Sequence, residues 1–189
     1  MLRAGSAALV VLVLSAGCTE APSVSRAGDD AGAGLTSGPA LTRFDGATRA
    51  TAPIVEGPSV TGAATVSSSH PGRVVVLNVW QSTCGPCRAE AAALDATAER
   101  TAGQATFVGL DVHDQQASAQ AFLRTSGNPY GHIYDPDGQQ LLEFADVLPL
   151  QAIPSTLVID PHGRIAARII GPVSATSLTQ LVHDTAASS

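Results

Sequence analysis

The hydrophobic pattern of the chain predicts buried strands that alternate with helices. Residues 73–80 form a nearly continuous run of β-branched and apolar side chains, which is typical of a strand covered on both faces. Further apolar runs that favour strands cover residues 106–112, 132–134, 156–159 and 165–170. Between and after these runs, helix-favouring segments cover residues 89–102, 117–125 and 177–185. This order predicts an α/β fold in which a mixed central sheet carries helices on both faces.

Turn residues mark where these segments end. Gly103 follows the first predicted helix, and Asp160–Arg164 predicts a hairpin between the last two strands. Asp135–Gly138 is a turn rather than a calcium loop, because the later ligand spacing of such a loop is missing. Residues 141–144 predict one helical turn. Ahead of the first strand, two short β-like pieces within residues 54–69 predict a small N-terminal hairpin.

The first 51 residues lack the pattern of the folded domain. Residues 1–17 combine a positive start, a short apolar run and small residues at the end, which is typical of a signal peptide. The apolar run is too short for a membrane-spanning helix, which needs about 20 residues. Residues 18–51 are rich in Ser, Gly, Ala, Pro, Thr and Asp and predict a flexible linker. We therefore expect one folded domain over residues 52–189.

Composition and charge narrow the possible functions. The chain has 189 residues, of which 44% are hydrophobic, enough for a packed core. The formal net charge is -6 and no cluster of Lys and Arg is present, which argues against binding to nucleic acid. The five His are scattered along the sequence without a supporting set of ligands, so no metal site is predicted.

The candidate chemistry is concentrated in a Cys-Gly-Pro-Cys motif that begins at Cys84. Pro86 suits the first turn of a helix, which places Cys84 at the helix N-terminus. The unpaired N–H groups and the helix dipole at that position favour the thiolate over the thiol. The two-residue spacing lets Cys87 attack a mixed disulfide formed at Cys84. The motif therefore predicts Cys84 as the attacking thiol and Cys87 as the resolving thiol.

The motif has three other interpretations. A zinc half-site would need two more ligands, and the chain has no second Cys pair. A purely structural disulfide is compatible with an exported protein, although so small a loop constrains little chain entropy. A peroxide-reducing site would use a single attacking Cys with a Thr three residues before it, whereas Thr83 is adjacent to Cys84.

The residues around the motif resemble a known family. Val76–Trp80 followed by Cys84–Glu90 resembles the membrane-anchored thioredoxin-like proteins of the TlpA/ResA group. Ala152–Asp160 is similar to the loop and strand that carry a cis-proline in that family. The resemblance extends from about residue 53 to the end. It implies a thioredoxin-like fold with a small N-terminal hairpin extension, thiol–disulfide oxidoreductase activity, and a redox-active disulfide between Cys84 and Cys87.

The resemblance also implies roles for three other residues. Pro154 matches the cis-proline that faces the Cys pair and shapes the surface where substrates dock. Glu90 matches a Glu that tunes the thiols and relays protons, and a buried carboxylate near thiols is expected to have a raised pKa. Asn78 occupies the position of a buried Asp in soluble thioredoxins, and Glu90 is its candidate replacement.

The chain also departs from the family pattern. Thr83 replaces the Trp that usually precedes the first Cys, and Ala92 replaces a common Pro. The first change removes an aromatic wall from the substrate surface, and the second removes a kink from the helix. We interpret Trp80 first as a core residue. These departures weaken the transfer of a particular substrate from the family.

The third cysteine points to a membrane anchor. Leu14–Cys18 resembles the lipobox of bacterial lipoproteins, in which the Cys is lipidated and becomes the new N-terminus. Ser15 stands where Leu is commoner, and the alternative is ordinary cleavage near Ala16, which leaves a spare thiol. Lipidation of Cys18 would hold the protein on the extracytoplasmic face of the cell membrane.

These observations together predict a monomeric, membrane-anchored, extracytoplasmic thiol–disulfide oxidoreductase. Its partners are expected to be protein thiol or disulfide substrates and a membrane redox partner, and no cofactor is implied. Gly85-Pro86 is the dipeptide of reducing thioredoxins. The family analogy favours a reducing role, such as the preparation of apocytochrome c thiols for haem attachment. The alternative is a non-catalytic or redox-sensing lipoprotein that has the same fold.

Overall fold

The structure is a computed structural model, and it describes residues 39–62 and 64–188. The predicted signal peptide, Cys18 and the linker as far as residue 38 lie outside the described residues. The strands are β1 (Ala40–Arg43), β2 (Glu56–Pro58), β3 (Thr65–Ser67), β4 (Val74–Trp80), β5 (Ala105–Val112), β6 (Gly131–Asp135), β7 (Ser155–Ile159) and β8 (Ile165–Ile170). The α-helices are α1 (Gly85–Arg100), α2 (Gln116–Ser126), α3 (Gln139–Leu142) and α4 (Ala175–Ala187).

The central sheet is mixed, as predicted. Its six strands lie in the order β1-β8-β7-β4-β5-β6. The β4–β5 and β5–β6 pairs are parallel, whereas β1–β8, β7–β8 and β4–β7 are antiparallel. The predicted N-terminal hairpin is formed by β2 and β3, which pair antiparallel in a separate two-stranded sheet.

The alternation of side chains along β4 explains its continuous apolar run. Val74 and Val76 lie on one face of the sheet and pack in a cluster with Leu94 of α1 and Leu178 of α4. The alternate residues of β4 lie on the other face, where they pack in a second cluster with Phe144, a residue just after α3. Every residue of β4 is therefore buried, and helices cover both faces as predicted.

Two segments differ from the expected pattern. Residues 40–43 lie within the predicted linker, yet they form β1 and pair with β8. The helical turn expected at residues 141–144 is instead α3 at Gln139–Leu142. It follows the left-handed Gly138, and Asp135 Oδ2 accepts a hydrogen bond from the Leu141 N–H at 2.9 Å.

A buried ion cluster joins the segment after β1 to the β7–β8 hairpin. The Asp160 side chain is 0% exposed and accepts hydrogen bonds from Arg49 and Arg164, both at 3.0 Å. Burial acts to raise the pKa of Asp160, but the hydrogen bonds from Arg164 and Arg49 outweigh it and lower this pKa below its ordinary value. The Arg49 side chain is itself only 8% exposed. Within residues 39–62 and 64–188, no helix is long and apolar enough to cross a membrane.

Candidate active site

The Cys pair lies where β4 gives way to α1. Cys84 and Cys87 are joined by a disulfide. Cys84 is the N-cap residue of α1, and its Sγ accepts a hydrogen bond from the Cys87 N–H at 3.1 Å. Cys84 is partly exposed, whereas Cys87 is 2% exposed. An incoming sulfur can therefore reach Cys84, while Cys87 is shielded.

The connection from β4 to Cys84 is held by residues that follow β5. The Ser82 N–H donates to Asp114 Oδ2 at 2.6 Å, and Gln81 Nε2 donates to the His113 carbonyl oxygen at 2.7 Å. The Cys84 N–H closes the turn by donating to the Gln81 carbonyl oxygen at 3.1 Å. Hydrogen bonds to the loop after β5 therefore hold in place the two residues, Gln81 and Ser82, that lead from β4 towards Cys84.

Beneath the disulfide is an apolar cluster built around Trp80. Trp80 is 3% exposed, as predicted for a core residue, and it shares this cluster with Cys87 and Phe122. The rings of Trp80 and Phe122 are 5.2 Å apart between centroids. The Arg88 guanidinium lies 5.1 Å from the centroid of the Phe122 ring, within the range of a cation–π contact. This cluster shields the resolving sulfur from water.

Glu90 is a buried acid one helical turn after Cys87. It is 2% exposed, and its two carboxylate oxygens accept hydrogen bonds from Asn78 Nδ2 and the Val173 N–H, each at 2.8 Å. Burial raises the pKa of Glu90 to about 7, although the hydrogen bonds from Val173 and Asn78 oppose this shift. The acid therefore exchanges a proton readily near neutral pH.

Pro154 lies on the loop that faces the Cys pair. The Ile153–Pro154 peptide bond is cis, which is the isomer that the family resemblance implied. The Ile153 carbonyl oxygen lies 3.7 Å from Cys84 Sγ. The Pro154 carbonyl oxygen accepts from the Gly171 N–H at 2.9 Å, which ties this loop to the end of β8. The structure thus brings Cys84, Cys87 and the Pro154 loop together.

The sequence did not point to Asp111, a buried carboxyl group near the end of β5. Asp111 is 0% exposed. Its pKa is raised to about 8, first by burial and then by the charge of Asp114. The available signal was an acidic residue within a run, residues 106–112, that was predicted to be a buried strand. His132 is also buried, at 4% exposed, and burial lowers its pKa to about 3.

The site offers sulfur and proton chemistry. Within residues 39–62 and 64–188, no group of three or more His, Cys, Asp or Glu side chains is arranged to hold a metal ion. What the arrangement provides is an accessible sulfur at a helix N-terminus, a shielded sulfur three residues later, and a buried acid of near-neutral pKa. Such a set can break and form disulfide bonds.

A mixed sheet of this topology, with a Cys-X-X-Cys pair opening the helix after its central strand, is characteristic of thioredoxin-like thiol–disulfide oxidoreductases as a class. Comparison with known proteins narrows the class. The sequence model of the Redoxin family matches residues 47–184, and the chain belongs to that family.

The relatives of the chain are named for thiol–disulfide interchange. It is 37% identical over 105 residues to the thiol:disulfide interchange protein DsbE of Tatumella citrea, covering 55% of this chain and 53% of that protein. It is 30% identical over 112 residues to the thiol:disulfide interchange protein HelX of Rhodobacter capsulatus, covering 59% of this chain and 60% of that protein. The chain thus spans little more than half the length of these curated relatives.

A solved structure covers more of the fold. The crystal structure of a DsbF homologue from Corynebacterium diphtheriae matches with a TM-score of 0.71 and 30% identity. The match covers 76% of this chain and 92% of that one. The thioredoxin-like fold inferred from the sequence is thereby confirmed.

Proposed function

We propose that the protein is a thiol–disulfide oxidoreductase that exchanges disulfides with protein substrates through Cys84 and Cys87. The observation that carries this proposal is the difference between the two sulfurs. Cys84 is partly exposed and caps α1, whereas Cys87 is 2% exposed. The accessible position accepts the substrate sulfur, and the shielded position resolves the intermediate.

In the reducing direction, the reaction starts from the dithiol. The Cys84 thiolate attacks one sulfur of a substrate disulfide, so that a Cys84–substrate bond forms and the other substrate sulfur leaves as a thiolate that takes up a proton. Cys87 then loses its proton and attacks Cys84 Sγ. The second substrate sulfur leaves as a thiolate that takes up a proton, and the protein ends as the Cys84–Cys87 disulfide. Two electrons have passed to the substrate.

Glu90 is proposed to take the proton of Cys87 in the resolving step. Its carboxylate is buried one turn further along α1, and its pKa of about 7 allows it to be ionised in a large share of molecules at neutral pH. The hydrogen bonds from Asn78 and the Val173 N–H hold both oxygens in place before and after the proton moves.

The loop that carries Pro154 is proposed to dock the substrate. The Ile153 carbonyl oxygen lies 3.7 Å from Cys84 Sγ and can accept a hydrogen bond from an extended substrate segment. Because proline has no backbone N–H, Pro154 provides no donor that could compete with the substrate for acceptors at this surface. A protein segment with a disulfide suits this surface.

The sequence supports a proposal for the direction of electron flow and for the location of the protein. We propose a reducing role, with apocytochrome c thiols as one candidate substrate, because Gly85-Pro86 is the dipeptide of reducing thioredoxins and the family analogy points the same way. We also propose that a lipid on Cys18 anchors a monomer to the extracytoplasmic face of the cell membrane, where a membrane redox partner returns its electrons. The lipobox-like Leu14–Cys18 supports the anchor.

The activity is tested by insulin reduction with the full chain in detergent. Cys84→Ser is expected to lose all activity, and Cys18→Ala is the matched control because it also removes one cysteine but lies outside the site. An inactive wild type under matched redox buffers, or a fully active Cys84→Ser, would favour a non-catalytic lipoprotein instead. The reduction potential of the Cys84–Cys87 pair tests the direction of electron flow. For a reducing role we expect a potential below about -200 mV, towards the range of thioredoxin.

The anchor needs its own experiment. Membrane fractionation of cells that express the wild type should place the protein in the membrane, and globomycin treatment should block its maturation. Cys18→Ala is expected to move the protein to the soluble fraction. Equal release of wild type and variant into the soluble fraction would contradict the anchor without affecting the proposed activity.

A further inference from the structure

Asp111 is a buried acid at the end of the central strands. It is paired in register with Trp80, the last residue of β4, and is 0% exposed. Neither of its carboxyl oxygens accepts a hydrogen bond from a donor among residues 39–62 and 64–188. An ionised carboxylate in this position would lack both water and donors, at a high desolvation cost.

The charges that act on Asp111 are also negative. They belong to Asp114, in the loop before α2, and to Asp135 at the end of β6. Two further titratable groups of β6 lie on this side of the sheet. Tyr134 donates its hydroxyl to the Asp114 carbonyl oxygen at 3.1 Å, and His132 is neutral because burial lowers its pKa to about 3.

A proton on Asp111 would supply the hydrogen-bond donor that two ionised carboxylates lack. The Asp111 and Asp114 side chains lie within hydrogen-bonding reach of each other, and two ionised carboxylates carry no donor hydrogen between them. When Asp111 is protonated, it can donate its O–H to Asp114, and the pair then carries a single charge. The pKa of Asp111, raised to about 8 by burial and by the charge of Asp114, keeps the proton in place at neutral pH.

Asp114 in turn holds the loop before the disulfide. Its Oδ2 accepts from the Ser82 N–H at 2.6 Å, and its Oδ1 accepts from the Gln115 N–H at 2.8 Å. Ser82 is two residues before Cys84. Any displacement of the Asp114 carboxylate therefore changes the backbone that leads to the accessible sulfur.

We propose that Asp111, in its protonated form, is a positioning residue of the active site: it donates a hydrogen bond to Asp114 and so keeps Asp114 on the Ser82 N–H. Loss of the proton places a second negative charge against Asp114 and weakens its hold on the loop. The structural part of this inference stands alone, while its effect on the rate rests on the proposed function.

The structural test uses the full chain in its disulfide form, in which the two Cys of the motif do not titrate. The amide proton resonance of Ser82 is followed by NMR between about pH 5 and pH 10, a range that spans the ordinary and the raised pKa of an aspartate. The wild type is expected to show an upfield shift with an inflection near pH 8. Asp111→Asn, which keeps the shape and an N–H donor but cannot ionise, is expected to lose the inflection, whereas Glu90→Gln should retain it.

Two results would overturn the proposal: a Ser82 resonance without an inflection near pH 8 in the wild type, or an inflection that persists in Asp111→Asn. If that variant does not fold, the carboxyl ¹³C resonance of Asp111 in the wild type decides. Titration near the ordinary value of about 4 would contradict a shared proton. Because no substrate is present, an inactive protein would leave this result unaffected.

The second readout is the rate of disulfide exchange. The ratio of the rate of Asp111→Asn to that of the wild type is expected to rise about tenfold from neutral pH to well above the pKa of Asp111, in line with the loss of one hydrogen bond in the wild type. Thiol ionisation affects both proteins and cancels in the ratio. A ratio that does not change with pH would contradict the positioning role even if the Ser82 resonance behaves as expected.

Discussion

Asn78 of β4 donates a hydrogen bond from Nδ2 to Oε1 of Glu90 on α1, at 2.8 Å. The same amide donates to Thr156 Oγ1 on β7 at 3.1 Å. One buried side chain therefore joins the strand before the Cys pair, the helix after it and the strand that follows Pro154. The family resemblance places an Asp of soluble thioredoxins at position 78, and here the buried acid is supplied by the helix instead.

Replacing Glu90 tests its role in proton transfer. Glu90→Gln should lower the rate of disulfide exchange at neutral pH by about 10²-fold, because general acid–base catalysis is lost. The inflection near pH 7 in the pH–rate profile should disappear with it. The measurement is the exchange rate as a function of pH, with Glu99→Gln, an exposed residue of the same helix, as the control. An unchanged profile in Glu90→Gln would exclude Glu90 as the proton acceptor.

The raised pKa of Glu90 also makes stability depend on pH. An acid whose pKa rises on folding binds more protons in the folded state, so the free energy of unfolding falls as pH rises from about 4.5 to about 7. Asp111 acts in the same sense up to about pH 8. Urea unfolding of the disulfide form at several pH values should show this fall. Glu90→Gln should flatten it below pH 7, and an equal slope in both proteins would contradict the buried, protonatable Glu90.

Removal of the resolving sulfur should trap the intermediate. Cys87→Ser keeps the accessible thiol but cannot release a bound substrate, so it should accumulate a mixed disulfide at Cys84. Non-reducing gels and mass spectrometry of the linked peptide measure this product. Cys84→Ser is the matched variant and should trap at least tenfold less substrate, on the order of the preference expected for the activated thiolate. Equal trapping by the two variants would contradict the assigned order of attack.

Gly109 leaves room for the aromatic cluster under the disulfide. A Cβ at this position would overlap His132 Nδ1 and lie 2.9 Å from Trp80 Nε1, so Gly109→Ala must displace buried rings. We expect a destabilisation of about 3 kcal/mol, at the upper end for an overpacked core. Gly103→Ala, which meets no atom within 4 Å, should change stability by less than about 0.5 kcal/mol. Denaturant unfolding of both variants provides the comparison, and similar effects would contradict the tight packing at Gly109.

Loss of Asp160 should be much more damaging than loss of a surface acid. Asp160→Ala leaves Arg49, whose side chain is 8% exposed, without its carboxylate, and should cost about 3–5 kcal/mol. The control is Asp184→Ala, which removes an ion pair to Arg43 with both side chains largely exposed, and should cost less than about 1 kcal/mol. Thermal or denaturant unfolding measures both. A small effect at Asp160 would show that the cluster does not secure the hairpin.

The sequence allowed the prediction of features that depend on local pattern. The run at residues 73–80 predicted a central strand because both of its faces are buried, and the Cys-Gly-Pro-Cys motif located the start of α1. β1 escaped prediction because its residues are largely exposed and its position depends on pairing with β8, more than 120 residues later in the chain. The contact between Ser82 and Asp114 escaped for the same reason, since 32 residues separate the two.

The placement of the β2–β3 hairpin has a consequence for association between molecules. β6 is the outermost strand on its side of the central sheet, and an outermost strand can recruit strands from other chains. Here Ser59 forms an antiparallel bridge to Ile133, and the Val60 N–H donates to the His132 carbonyl oxygen at 2.9 Å. These contacts occupy backbone groups that would otherwise be free to template aggregation. On the opposite side, β1 is only 4 residues long, so we expect little tendency towards intermolecular sheet growth.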